Sequence, residues 1–218
     1  SYCEKKPDES YQTNVVGLKN VLDAAMRVGS RVVFISSAHI FDGTRSPYNE
    51  VDAPNPQTVY GWHKLMGEHL VATSIENYLI IRTASVFGWD PLNKNPVLQI
   101  TTLLKNERSI NLVDDVIETP IYSHVLADAI MDLIEKKESG VFNISDNESI
   151  SPYQFGLNIA EIFGLDADLI KPVKVASLKS HKIKPVNTCL SNKKVKRLID
   201  TKMTSTQVGL KQMLKDEL

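Results

Sequence analysis

The chain has 218 residues, enough for one large domain or one and a half ordinary ones, and 42% hydrophobic with 23% charged residues is ordinary globular usage. That composition excludes collagen-like, coiled-coil and wholly disordered classes, and no apolar run approaches the roughly 18 residues that span a bilayer. The net charge of -1 hides an asymmetry: residues 1–170 carry -10 and residues 171–218 carry +9. A basic end attracts phosphate in any form, so charge alone leaves open a nucleic acid, a nucleotide ligand, an acidic partner or a solvated face. Cys3 and Cys189 form no CxxC pattern, which argues against a zinc site or disulfide framework and favours a reducing, cytoplasmic setting. No secretory signal opens the chain, whose first residue is Ser1.

In chain order, apolar residues from Val15 to Met26 recur at helical spacing, and the pattern predicts a helix over 9–28 that stops at Gly29. Arg31 to Ser36 reads as a buried strand, followed by a turn-rich loop to about Pro56, a helix over 57–76 and a second buried strand, Tyr78 to Thr83. Alternating helix and strand is the signature of a parallel sheet. Then come a turn-rich link over 89–96, a helix over 97–107, short strands within 109–122 and a helix over 123–137. A strand over 141–145 precedes a helix whose N-cap is Ser151, with Pro152 at the first helical position. Helices are expected again near 192–199 and 205–216.

Two stretches carry chemistry. The first strand runs into Ser36 and Ser37, which delivers hydroxyls to the C-terminal edge of a parallel sheet, where such folds bind ligands. Then Tyr60-Gly-Trp-His-Lys64 puts a phenol and an ammonium at i and i+4, on one face of a helix. A phenol near pKa 10 is a poor acid-base group at neutrality, and a fixed positive charge beside it favours phenolate. The lysine can also donate to ribose hydroxyls and a nearby serine can hold a substrate oxygen. The spacing by itself is weak: 7 Tyr and 19 Lys supply about 0.6 such pairs by chance, and Tyr2 to Lys6 is another. Context separates them, because Tyr60 follows a strand, a serine and a loop, and Tyr2 follows nothing of the kind.

On these residues the sequence resembles the extended short-chain dehydrogenases/reductases, and within them the dTDP-4-dehydrorhamnose reductase branch. Asn14-Val-Val-Gly-Leu-Lys-Asn-Val-Leu22 is similar to the family helix with an asparagine near the cofactor, and Ser37, Tyr60 and Lys64 match its catalytic trio. Phe41-Asp-Gly43, Pro47-Tyr-Asn-Glu-Val-Asp52, Pro56, Gly61, Gly67 and Glu68 match the branch more closely. Arg82-Thr83 with Val86-Phe87-Gly88 resembles the stretch near the nicotinamide, and Lys184-Pro185 with Asn187, Thr188 and Leu190 the substrate-domain signature.

The resemblance implies a Rossmann-type, doubly wound parallel sheet whose N-terminal part is not in this chain, with a smaller α/β substrate domain. Residues 1–92 and 123–146 would belong to the cofactor domain, and 93–122 and 147–218 to the substrate domain. It implies reduction of a nucleotide-linked 4-keto sugar with NADP or NAD as cofactor. Catalysis would fall to Ser37, Tyr60 and Lys64, cofactor contacts to Asn14, Ser36, Tyr60, Lys64, Arg82, Thr83 and Val86, and substrate contacts to Ser37, Ala38, His39, Ser85 and Lys184. Epimerisation or dehydration on the same fold, and a non-catalytic role like the regulatory subunit of methionine adenosyltransferase, are the alternatives. The partner expected is a nucleotide sugar, with no nucleic acid and no membrane, and a homodimer is left open.

Three departures from the branch stand out. Among 10 glycines none clusters as a phosphate-binding turn, so the adenosine half of the cofactor is unprovided for. Ser37-Ala38-His39 stands where Thr-Asp-Tyr is common, and Ser85 where tryptophan is common. His39 and His63 lack Asp or Cys partners at ligand spacing, so no metal is expected, and His63 reads as a surface or interface residue. Trp62 reads as a packing residue, Asp114-Asp115 as a solvated turn, and Lys193, Lys194, Lys196 and Arg197 as a basic run without the aromatics of a base-stacking platform.

Overall fold

The computed structural model describes residues 2–90, 92, 95–178 and 185–216. A short α1 (Tyr2–Lys5) precedes the helix expected over 9–28, which is made in pieces: α2 (Pro7–Tyr11), a π-helical turn (Gln12–Val16) and α3 (Gly17–Val28). It stops at Gly29, whose φ of 65° closes the αL cap with its N–H on the carbonyls of Ala25 and Met26. Then come β1 (Val32–Ser37), α4 (Val59–Ser74) and β2 (Tyr78–Thr83), followed by the short β3 (Val86–Phe87). The second half holds α5 (Pro96–Lys105), β4 (Ile110–Val113), β5 (Ile121–Tyr122), α6 (Ser123–Glu135), β6 (Gly140–Asn143), α7 (Pro152–Phe163), β7 (Ile170–Val173) and α8 (Thr206–Lys215).

The strands form parallel ladders in the order β1-β2-β6, β3-β5 and β4-β7. In the main sheet Val32 pairs with Tyr78 and Ser37 with Thr83, so β1 and β2 end in step. Side chains of β2 alternate: Ile80 faces Leu22, Ala25 and Val71 of α3 and α4, whereas Leu79 and Ile81 face Leu126, Ala129 and Leu133 of α6. Burial on both faces explains why β2 reads as a nearly continuous apolar run, whereas β1, expected to be buried too, is only part-buried along its apolar stretch and leaves Ile35 exposed. A separate core gathers Phe87, Leu98, Tyr122, Phe155, Ile159 and Leu210 under α5, α7 and α8.

Several expectations need correction. Residues 192–199 are not an α-helix: only a 3₁₀ turn, Val195–Arg197, forms. The helical spacing of Val195, Leu198 and Ile199 serves packing against α6, while Asn192 holds the chain to the Ser145 carbonyl and to Asn147 Oδ1 at 3.0 and 3.1 Å. The strand β7 was not foreseen, because Ile170-Lys-Pro-Val173 lacks a strand-like pattern and gains its pairing only from β4, some sixty residues upstream. His63 is buried and bonds Ser10, whereas Trp62 is half-exposed, so these neighbours exchange the roles expected of them. Asp114-Asp115 is a tie between segments, with Lys174 Nζ 3.0 Å from Asp114 and the Val175 N–H 2.8 Å from Asp115. The basic run is partly spent inside the fold: Lys194 Nζ donates to the Val141 carbonyl at 2.7 Å and sits 4.0 Å from the centre of the Phe142 ring.

Candidate functional site

The parallel sheet places Ser36 and Ser37 at the end of β1, and α4 crosses in front of them. The start of α4 is fixed at three points. Thr58 Oγ1 caps the Gly61 N–H at 3.0 Å, Glu4 Oε1 from α1 accepts from the Val59 N–H at 2.7 Å, and the His39 carbonyl presses against Gly61. A Cβ at Gly61 would stand 2.2 Å from that carbonyl oxygen, so only glycine lets the serine loop approach the helix this closely.

Tyr60, Lys64 and Glu68 lie four residues apart and face the sheet together. The Ser37 side chain lies beside the half-buried Tyr60 phenol, near enough to act on its pKa. Ser37 also accepts the His39 N–H at 3.2 Å, and the His39 ring meets the Tyr60 ring edge-on at 6.1 Å. Lys64 Nζ donates to the Ile35 carbonyl at 2.8 Å and lies 5.7 Å from the Tyr60 ring centre. Burial is the main influence on the Tyr60 phenol and raises its pKa; the neighbouring Ser37 hydroxyl opposes that, and Cys3 adds slightly to it. The expectation that Lys64 would draw the phenol below its ordinary value is therefore corrected for the protein alone: the ammonium is anchored to a strand carbonyl, and burial lowers its own pKa.

Asn14 lies inside the π-helical turn, the kind of irregularity that often marks functional positions. Its Nδ2 donates to the Ser10 carbonyl at 3.0 Å, and Ser10 Oγ meets His63 Nδ1 at 2.9 Å, so Asn14 is tied to the helix that carries Tyr60. Thr83, the register partner of Ser37, has a buried hydroxyl without a hydrogen-bond partner among the described residues. Val86 pairs with Ile121 in the β3-β5 ladder, and Ser85 stands between it and Thr83 with its hydroxyl on Glu118.

Not every expected site residue faces this cluster. Arg82 is buried and gives Glu68 three hydrogen bonds, with Nη2 to Oε2 at 2.7 Å, while its Nη1 donates to the Glu50 carbonyl at 3.0 Å. Ser36 donates to the same Glu68, and Ala38 is buried beside Ile40 and Phe41. Lys184 lies outside the described residues. The branch-like segments are largely architectural: Asp42 accepts from the Thr44 N–H and from Tyr48 and Asn55, which hold its carboxyl well below the usual range, and Tyr48 stacks on Phe41 at 4.1 Å. Ser10 and Glu118 were not foreseen as part of the site's frame, and His63 was expected at the surface. Glu68, singled out only as a match to the branch, also completes an i, i+4, i+8 series with Tyr60 and Lys64.

No helix among the described residues is long and apolar enough to cross a membrane, and none of their His, Cys, Asp or Glu side chains form a group of three that could hold a metal.

Comparison with known proteins bears on the family and the fold. The family model described as "RmlD substrate binding domain" matches residues 1–218. The spore coat polysaccharide biosynthesis protein SpsK of Bacillus subtilis is 31% identical over 77% of this chain, and methionine adenosyltransferase 2 subunit beta of Bos taurus 28% identical over 97% of it. The chain spans 59% and 65% of those two relatives' lengths. The crystal structure of dTDP-4-dehydrorhamnose reductase from Bacillus anthracis in complex with NADP superposes with a TM-score of 0.92 at 27% identity, covering 98% of this chain and 75% of that one. With parallel ladders throughout and the whole of its length matched, this chain belongs to the RmlD substrate binding domain family and has the α/β, Rossmann-like fold of its dehydrogenase and reductase relatives.

Proposed function

We propose that this chain is the catalytic and substrate-binding portion of an NADP- or NAD-dependent reductase of a nucleotide-linked 4-keto sugar. The observation that carries the reading is the meeting of Ser37 and Tyr60 about His39, with Lys64 on the same helix face, at the C-terminal edge of a parallel sheet. The likeness to the NADP-bound reductase of Bacillus anthracis supports it. Residues 1–92 and 123–146 would form the cofactor side, and 93–122 with 147–218 the substrate side.

The groups at this edge suit the nicotinamide-ribose end of a dinucleotide. Lys64 supplies a half-buried ammonium for ribose hydroxyls, Asn14 an amide, and Thr83 an orphaned hydroxyl. When bound, the cofactor supplies the hydride for the carbonyl carbon. Ser37 donates a hydrogen bond to the carbonyl oxygen, Tyr60 gives that oxygen its proton as it becomes an alcohol, and Lys64 with Ser37 steadies the phenolate until solvent returns the proton. Because burial keeps Tyr60 protonated well past neutrality, it stands ready as an acid in the reducing direction.

The test is oxidation of NADPH by the full-length protein with dTDP-4-dehydrorhamnose, followed by absorbance. Turnover is expected. A second reading, a regulatory subunit, is favoured by the likeness to methionine adenosyltransferase 2 subunit beta over 97% of the chain. Dinucleotide binding without turnover of any nucleotide-linked keto sugar would select that reading.

A further inference from the structure

Beside the candidate site lies a small cavity of about 90 Å³. Its walls include Ile100, Leu112, Ile150 and Phe155, and Ser85 and Glu118 bring its polar groups. Ser85 comes two residues after Thr83, the partner of Ser37 in the ladder, so extended chain would place it roughly 7 Å beyond the reactive serine's row. The Ser85 hydroxyl donates to Glu118 Oε2, and among the described residues Oε1 of that carboxylate receives no hydrogen bond.

This polar pair sits on fixed backbone. The Glu118 N–H donates to the Ile150 carbonyl at 3.0 Å and the Ile150 N–H to the Glu118 carbonyl at 2.9 Å, while the Ile121 N–H holds the Ser85 carbonyl at 3.0 Å. Both side chains are half-buried. Their surroundings combine an acceptor-only group with a free oxygen and an apolar chamber with room for about three water-sized groups.

We infer that Glu118, Ser85 and this chamber form a specificity subsite for an acylamino substituent on the sugar ring, a selection that rests on the proposed nucleotide-sugar function. An acetamido group matches both halves: its N–H donates to Glu118, and its three remaining heavy atoms fill the chamber against Ile100 and Phe155. A hydroxyl in the same place satisfies the carboxylate and leaves the chamber empty. A bare methyl reverses that and leaves the carboxylate without a donor, which a site built to receive one penalises.

The experiment uses the full-length protein with NADP bound and measures calorimetric affinity for dTDP-linked hexoses bearing acetamido at C2 or C3, against the parent hydroxyl sugars. One acetamido sugar is expected to bind about tenfold or more tightly than its parent. Ile100→Phe, which fills the chamber, should remove that preference while leaving parent-sugar affinity, NADP affinity and the circular dichroism spectrum unchanged, whereas Glu118→Ala should weaken acetamido and parent sugars alike with NADP affinity unchanged. Equal affinity for both kinds of sugar, a preference that survives Ile100→Phe, or acetamido-sugar affinity that Glu118→Ala leaves untouched overturns the subsite while leaving the reductase reading intact. No binding of any nucleotide sugar by protein that binds NADP overturns both.

Discussion

Glu68 and Arg82 form a buried ion pair, Nη2 to Oε2 at 2.7 Å, that pins the helix bearing Tyr60 and Lys64 to the middle strand of the sheet. Ser36 adds a fourth hydrogen bond from the neighbouring strand. The carboxylate is thus shared by three elements, and the distance from Tyr60 to Ser37 depends on it. Removing one partner leaves a buried charge uncompensated, so Glu68→Ala should cost about 3 to 5 kcal/mol in denaturant unfolding. Replacing both members, as in Glu68→Met with Arg82→Met, should cost much less than the sum of the single changes.

His63 carries a pH dependence. Burial lowers its pKa below the ordinary histidine value, so the folded state takes up the proton less readily than the unfolded chain. The stability tied to neutral His63 is fully present above about pH 6.5 and is lost as pH falls from there through the lowered folded pKa. Thermal unfolding from pH 7.5 to 5 should show the decline, and His63→Gln should flatten that part of the profile. An unchanged profile in the variant would remove His63 as its source.

Much of the frame was legible in the sequence because it is local. Gly29 closes its helix through a left-handed cap, Ser151 caps α7 on the Gln154 N–H, and the apolar run of β2 follows from burial on both faces. What escaped depends on segments distant in sequence. Glu118 reaches Ser85 across 33 residues, Ser10 reaches His63 across 53, and β7 is a strand only because β4 lies beside it. Trp62 and His63 exchange expectations because one step along a helix turns a side chain by about 100°, and residue type alone led to the wrong face.

Gly61 and Gly29 should answer alanine differently. At Gly61 a Cβ meets the His39 carbonyl at 2.2 Å, and since backbone cannot rotate away, the helix start must shift from the serine loop. Gly61→Ala should cost about 1 to 3 kcal/mol and lower turnover as well. At Gly29 nothing lies within 4 Å, but φ is 65°, so Gly29→Ala should cost roughly 1 to 2 kcal/mol of stability and leave turnover per folded molecule unchanged. Paired denaturation and activity measurements separate the two cases.

The raised pKa of Tyr60 fixes the direction of the pH effect on the proposed reaction. Reduction uses the protonated phenol and should show no loss attributable to Tyr60 between pH 7 and 9. Oxidation of the product alcohol needs phenolate and should rise with pH across that range. Initial rates in both directions, each at saturating substrate, check the pair of slopes.

The central claim is that Tyr60 supplies the proton, and the most direct measurement is the single-turnover rate of NADPH oxidation by the full-length Tyr60→Phe variant. Removing the hydroxyl keeps the ring against His39 and takes away the group beside Ser37. The rate should fall by about 10² or more with NADP affinity little changed. Tyr2→Phe, which alters an exposed phenol paired with Glu9, should react at the wild-type rate. A Tyr60→Phe variant that keeps the wild-type rate would contradict the account.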